Sequence, residues 1–221
     1  TVPLVAPEDI MDLDDYRKHG AFFFKDRTIR DYNDYLETNF FTQLMPTSPS
    51  NSIDSLLGIK PVTEHTLGNS YMTGWRHLME AGMVTIDKSK HFLGLLMTLP
   101  LTLWKEPISS STWGDKELYW LGLSIAGDEE YVFNKFGAAG VGMETTEPKY
   151  KLYFKSEAHE VCLNHPGHVY KDGRLLWINS GFSFCKKNGQ FGDRLKYPFN
   201  EMEKSEREAL YGQPLRVSHA V

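Results

Sequence analysis

Three features of the sequence predict an α/β or mixed α+β fold. Short apolar runs have strand length, apolar residues between them recur at spacings of three and four, and turn residues mark the junctions. Strands and helices read in this way alternate along the 221-residue chain, with no repeat and no low-complexity segment between them. At this length one domain over residues 1–221 is expected.

The elements follow in order. Val2-Pro-Leu-Val-Ala-Pro7 is extended, because each proline disfavours helix at the residue before it. Asp12-Leu-Asp14-Asp15 has the Asp-x-Asp spelling that can hold a divalent cation. It follows the polar stretch Pro7-Glu-Asp-Ile-Met11 rather than an apolar strand, so it reads as a solvated turn or helix start. Residues 21–24, Ala-Phe-Phe-Phe between Gly20 and Lys25-Asp-Arg27, form a buried strand. From 28 to 44 the spacing of Ile29, Tyr32, Leu36, Phe40 and Leu44 is helical, and 46–52 is a Pro- and Ser-rich loop. Residues 83–86 read as a strand. Asp87 then caps a helix that buries Phe92, Leu95, Leu96 and Leu99 and ends near Pro100. Gly114-Asp-Lys-Glu117 opens a second helix, lined by Leu118, Leu121 and Ile125 and closed by Gly127. Residues 131–133, 152–154 and 175–178 are further strands, and 201–208 is a charged, solvated helix.

Composition removes some functions. A net charge of -5 offers no basic field for nucleic acid. No run of about 18 apolar residues occurs, so no segment here reads as a membrane span. The chain opens on Thr1 without a signal peptide, which predicts a processed protein or a segment of a longer one. The aromatic content of 13% suits either a large core or a carbohydrate site. Cys162 and Cys185 could pair in an oxidising lumen, where a loop of that size would restrict the unfolded chain by about 3 kcal/mol. In a reducing compartment they would stay free.

Three polar patterns are candidates for chemistry. In Trp113-Gly-Asp-Lys-Glu117, Asp115 and Glu117 either cap a helix start and favour its dipole, or face a cleft and hold sugar hydroxyls beside a stacking Trp113. In Trp75-Arg-His-Leu-Met-Glu80, Arg76 and Glu80 either belong to a surface turn or meet a phosphate and a sugar, respectively. Cys162-Leu-Asn-His165-Pro-Gly-His168, followed by Gly173-Arg-Leu-Leu-Trp177, has no second ligand pair at zinc-finger spacing, so a single His donated to a cation is the stronger reading.

Several strings together resemble the fungal α-1,3-mannosyltransferase family. They include Phe23-Phe-Lys-Asp-Arg27, Glu37-Thr-Asn-Phe-Phe41, Gly74-Trp-Arg-His77, Glu80-Ala-Gly-Met-Val-Thr-Ile-Asp-Lys88 and Trp113-Gly-Asp-Lys-Glu-Leu-Tyr-Trp-Leu-Gly122. Asn134-Lys-Phe-Gly-Ala-Ala139, His165-Pro-Gly-His168 and Gly173-Arg-Leu-Leu-Trp-Ile-Asn-Ser-Gly-Phe182 continue the series, so the likeness reaches from the first ten residues to about residue 200. The resemblance implies a Golgi membrane protein with a signal anchor and a lumenal, Rossmann-like nucleotide-sugar fold. It implies retaining transfer of mannose from GDP-mannose to mannose-terminated N- or O-linked glycans, with Mn2+ as cofactor. It also implies that the metal-binding Asp-x-Asp, the first nucleotide-binding strands and the anchor lie upstream of this chain, which would be the greater part of one catalytic domain. On this resemblance His168 is a cation ligand with His165 as fallback. Asp115 and Glu117 hold the donor mannose and steady charge at its C1, one of them serving as nucleophile or base. Glu80 binds donor or acceptor hydroxyls, Arg76 binds phosphate, and Trp113 and Trp177 stack on sugar. Two other classes compete: a non-catalytic transferase-like protein that binds glycan or joins other transferases, and a zinc hydrolase built on His159, Glu160, His165 and His168.

Overall fold

The computed structural model describes residues 1–30, 35–46, 53–56, 58–104, 108, 112, 114–144, 161–179, 205 and 219–220. The strand expected at 152–154 lies outside them, as do Trp113, His159, Glu160, Cys185 and nearly all of the loop at 46–52 and the helix at 201–208. In chain order the elements are β1 (Val2–Pro3), α1 (Pro7–Met11), α2 (Asp14–His19), β2 (Ala21–Lys25), β3 (Ile29–Arg30), α3 (Tyr35–Leu44), α4 (Ile53–Leu56), α5 (Glu64–Leu67), β4 (Trp75–Arg76), β5 (Met79–Ile86), α6 (Phe92–Leu103), α7 (Leu118–Ile125), β6 (Tyr131–Phe133), β7 (Ala139–Glu144), β8 (Val161–Val169), β9 (Leu175–Ile178) and β10 (His219–Ala220). The fold is mixed α/β and forms two compact units, Ala6–Gly137 and Thr1–Val5 with Ala138–Val221.

The unit Ala6–Gly137 is built on a three-stranded mixed sheet of order β5-β2-β6. The central strand β2 pairs antiparallel with β5 and parallel with β6. All four residues of its apolar run are fully buried. Strand alternation sends Phe23 into the main core with Phe41, Tyr71, Met79 and Trp120. Phe22 and Phe24 meet edge to face, their ring centres 5.0 Å apart. α6 and α7 approach closely because their contact is made of small residues. A Cβ on Gly94 would collide with Leu123, and one on Gly122 would lie 2.5 Å from Thr98 Oγ1. Under the sheet, Thr66, Ser124 and Tyr131 close a ring of three buried hydroxyls at 2.9–3.0 Å, each with a partner on either side.

Three expectations need correction. Ile29 and Arg30 do not begin a helix; they pair as β3 with Arg76 and Trp75 of β4, and α3 starts at Tyr35. Asp87 caps a turn, accepting hydrogen bonds from Ser89 N and Oγ, and His91 precedes α6 instead. α6 buries Gly94, Thr98 and Leu101 and carries Pro100 within its last turn, whereas Phe92, Leu96 and Leu99 are exposed. Close packing on α7 needs small residues, and that requirement overrides the spacing of the large ones. Asp12, Asp14 and Asp15 fall at the end of α1 and the start of α2, the solvated helix start that the sequence predicts, with Asp12 paired to Arg17 at 2.8 Å on the surface.

The other unit is a five-stranded antiparallel sheet of order β1-β9-β8-β7-β10. The β8–β9 hairpin turns through Gly173, which has a positive φ of 89°, and is closed by a 2.9 Å bond from Tyr170 N to Arg174 O. His168 and Trp177 are cross-strand partners, both fully buried, and their rings stack at 4.0 Å with 16° between planes.

Candidate functional site

Parallel strands β2 and β6 end side by side, and the edge beyond their last residues gathers most of the polar groups that the sequence singles out. The chain leaves β2 at Asp26, whose N–H donates to Leu78 O (2.9 Å), and leaves β6 at Asn134, whose N–H donates to Phe23 O (2.7 Å). Both residues are thereby fixed by backbone bonds at the carboxyl edge of the sheet.

The turn from Gly114 to Glu117 is anchored to this edge at two points. Gly114 adopts a φ of +80°, which lets the chain reverse into α7. Lys116 Nζ lies 2.6 Å from Asp26 Oδ2, with both side chains largely buried. Glu117, at the N-cap position of α7, turns its carboxylate inward: Oε1 accepts the N–H groups of Leu78 (2.8 Å) and Met79 (3.2 Å), and Oε2 accepts Trp120 Nε1–H (2.6 Å). Burial pushes this carboxyl up to about 7, against the pull of those three donors and of Lys116. Asp115, just before the two anchors, is exposed, and among the described residues only the Tyr119 OH reaches its carboxylate, at 3.4 Å. Of the paired carboxylates, Glu117 therefore faces the protein's own donors and Asp115 faces outward.

Glu80, the second residue of β5, lies opposite Phe24. The pairing then jumps to Phe23 opposite Val84, so residues 81–83 form a bulge. Glu80 Oε1 accepts Gly82 N–H at 2.9 Å and holds that bulge, leaving Glu80 nearly buried. His77, between β4 and Leu78, has a φ of +61°, the only positive value among non-glycine residues described. Such backbone is uncommon outside glycine and persists where surroundings enforce it. Burial and then Lys116 push its imidazole below the ordinary range, against Asp26, so it is neutral at physiological pH.

Arg76, Glu80, Asp115 and Glu117 thus belong to one unit, with Glu80 in β5 and Glu117 at the start of α7. His168 and Trp177 belong to the other unit. There the imidazole covers one face of the Trp177 ring, which is wholly shielded from solvent. Among the described residues no group of three His, Cys, Asp or Glu side chains could hold a metal ion. Sequence reasoning missed Asp26, His77, Lys116 and Asn134 as members of the edge. The available signal was position: Asp26 and Asn134 each follow directly after an apolar strand, and in open α/β sheets ligands bind beyond the strands' carboxyl ends.

Residues 1–170 match the family described as "Mannosyltransferase putative". Every edge residue named above, and His168, lies within that match; Trp177 lies beyond it. Among similar proteins is the Candida albicans "Putative alpha-1,3-mannosyltransferase MNN15", 55% identical over 216 residues, which are 98% of this chain and 28% of that protein. A second from the same organism, "Putative alpha-1,3-mannosyltransferase MNN1", is 37% identical over 235 residues, covering 100% of this chain and 28% of that protein. The Saccharomyces cerevisiae "Alpha-1,3-mannosyltransferase MNT2" is 27% identical over 229 residues, or 98% of this chain and 40% of that protein. The chain spans 28% of the first two relatives and 40% of the third.

Proposed function

This chain belongs to the mannosyltransferase family, and we propose that it is the greater part of the catalytic domain of a retaining α-1,3-mannosyltransferase. The donor is GDP-mannose and the acceptor is the terminal mannose of N- or O-linked glycans. The domain is Rossmann-like, lies in the Golgi lumen and is held there by an anchor outside these residues. The observation that carries the reading is the carboxylate turn pinned to the carboxyl edge of β2 and β6 by Lys116–Asp26 and by Glu117. The likeness of the chain to proteins named α-1,3-mannosyltransferases supports mannose as the group handled at that edge.

In this reading Asp115 meets the donor mannose. Its carboxylate can accept two sugar hydroxyls or lie against the positive charge that develops at C1 as the diphosphate leaves. Glu117 holds the turn so that Asp115 is already in place when the donor binds. Glu80 and the bulge it closes contact hydroxyl groups, and Arg76 takes a phosphate. Trp113 is the stacking aromatic of this set, while Trp177 is assigned to packing because His168 covers its ring. Mn2+ would neutralise the departing diphosphate as a Lewis acid. His168 is its proposed ligand by resemblance; the described residues do not by themselves form a three-ligand set.

The test is mannose transfer from GDP-mannose to a short α-mannoside, with and without Mn2+. Transfer that needs Mn2+ and yields an α-1,3-linked product is the expected result. A folded protein that binds mannoside but transfers from no sugar nucleotide would overturn the reading in favour of a non-catalytic, glycan-binding one.

A further inference from the structure

The same two parallel strands have a second end, and a cleft of about 500 Å³ opens there. It lies where α2 leads into β2, where the 126–130 loop leads into β6, and where the chain enters α6. We propose that this cleft binds a multiply charged oxyanion of sugar-phosphate size, at a site separate from the carboxylate edge.

Three lysines from three separate segments line it: Lys18 of α2, Lys60, and Lys90 just before α6. Among the described residues none of these ammonium groups makes a close ion pair, although Lys90 and Lys60 act at longer range on Asp87 and Asp128. Two of the three acidic residues in the lining are already engaged. Asp128 Oδ2 is 2.7 Å from His91 Nδ1, and its Oδ1 accepts Glu130 N–H at 3.1 Å. Glu129 Oε1 accepts the N–H groups of Thr63 (2.9 Å) and Thr66 (3.2 Å) and so ties the Lys60 segment to the floor. Glu130 is the remaining carboxylate; it is three-quarters exposed and lies 3.6 Å from His19 Nδ1.

His91 adds a further charge to the floor. Its Nδ1 faces a carboxylate and its Nε2 faces the carbonyl of His19 at 2.9 Å, two groups that can only accept. Both ring nitrogens must then carry protons, which makes the ring an imidazolium. The lining thus sums to four positive side chains against three negative ones, with the negative ones largely consumed by the protein.

The walls are set before any ligand arrives. Gly20 has a φ of +81°, and a Cβ there would lie 2.8 Å from Lys90 Cδ and 2.9 Å from His91 Nε2. Gly127 has a φ of +71°, and its Cβ would lie 2.5 Å from the Lys60 carbonyl oxygen. Each glycine therefore lets one lysine-bearing segment close onto the floor. The volume is in the range of small-molecule sites and exceeds what one inorganic phosphate fills. Lysines act on phosphate as point charges, so a ligand with a phosphate head and a hydroxylated body matches the lining.

Calorimetric titration with glucose 6-phosphate and with inorganic pyrophosphate at low salt tests the proposal. Binding is expected to weaken about tenfold or more in Lys60→Gln/Lys90→Gln, with its melting temperature retained, and to fall steeply with added salt. Lys116→Gln, at the opposite edge, should leave binding unchanged. Loss of binding in Lys116→Gln but not in the double variant would place the anion at the carboxylate edge and overturn the proposal, as would absence of binding by both anions. Either result leaves the enzymatic reading standing, since that reading already expects a phosphate at the carboxylate edge.

Discussion

Lys116 and Asp26 are 90 residues apart in sequence and 2.6 Å apart in space. No local pattern announces such a pair, although each residue stands in a conspicuous string. The sequence made the Trp113–Glu117 turn legible as a candidate, but taken alone it favoured helix capping over sugar binding for both of its carboxylates. Packing separates them, since Glu117 is buried on three donors while Asp115 is exposed. Lys116→Met is expected to lower turnover about tenfold or more by loosening Asp115, with only a small change in melting temperature. Asp26→Asn should do the same, and the double variant should be no worse than either single one because all three remove one tie. Additive losses in kcat would show that the two act separately. Glu117→Ala leaves two backbone N–H groups and an indole N–H buried without acceptors, at about 1–3 kcal/mol each, so a large drop in denaturant midpoint is expected. A variant as stable as the parent would contradict the anchoring role.

β2, β6, α7 and β9 were legible because each combines an apolar pattern of fitting period with a turn residue at its boundary. β3 and β4 were not, because a two-residue ladder exists only through its distant partner. The buried face of α6 was misread for a related reason: its packing partner α7 selects Gly94 and Thr98, and large residues at the same helical spacing stay outside. Element junctions carry a pH prediction. His91 joins the start of α6 to the end of α2 and to the loop before β6. Burial disfavours its cation, but Asp128, the His19 carbonyl and Asp87 together outweigh burial and raise its pKa above the ordinary 6.5. The stability it contributes is therefore complete below 6.5 and lost as pH rises through the folded value. Asp128 has the opposite sign: its pKa is lowered from 3.8, so its contribution is present above that value and lost in acid. Glu117, raised from 4.5 to about 7, loses its contribution as pH rises from 4.5 to about 7. Melting temperature should fall from about pH 4.5 to about 7 through Glu117, and fall further above 6.5 through His91. Replacing His91 by Gln should flatten the part of that slope above 6.5, and an unchanged slope would remove His91 as its cause.

At the scale of the whole chain, both ends of the β2–β6 pair are polar, and they differ in charge and in construction. The carboxyl edge presents Asp115 on a pinned turn, while the amino edge presents lysines over a neutralised floor. The class of fold was legible from alternation alone, whereas the two-unit organisation depends on contacts that no local pattern encodes. The proposal puts mannose transfer at the carboxyl edge, and Asp115 is the residue on which that proposal rests. The direct measurement is turnover of GDP-mannose by Asp115→Asn beside the parent, with GDP affinity and melting temperature followed in parallel. Turnover lost by about a hundredfold or more, with both other quantities nearly unchanged, is the predicted result. Full turnover, or a loss that merely follows a collapse in stability, would contradict the assignment and return Asp115 to a helix-start residue.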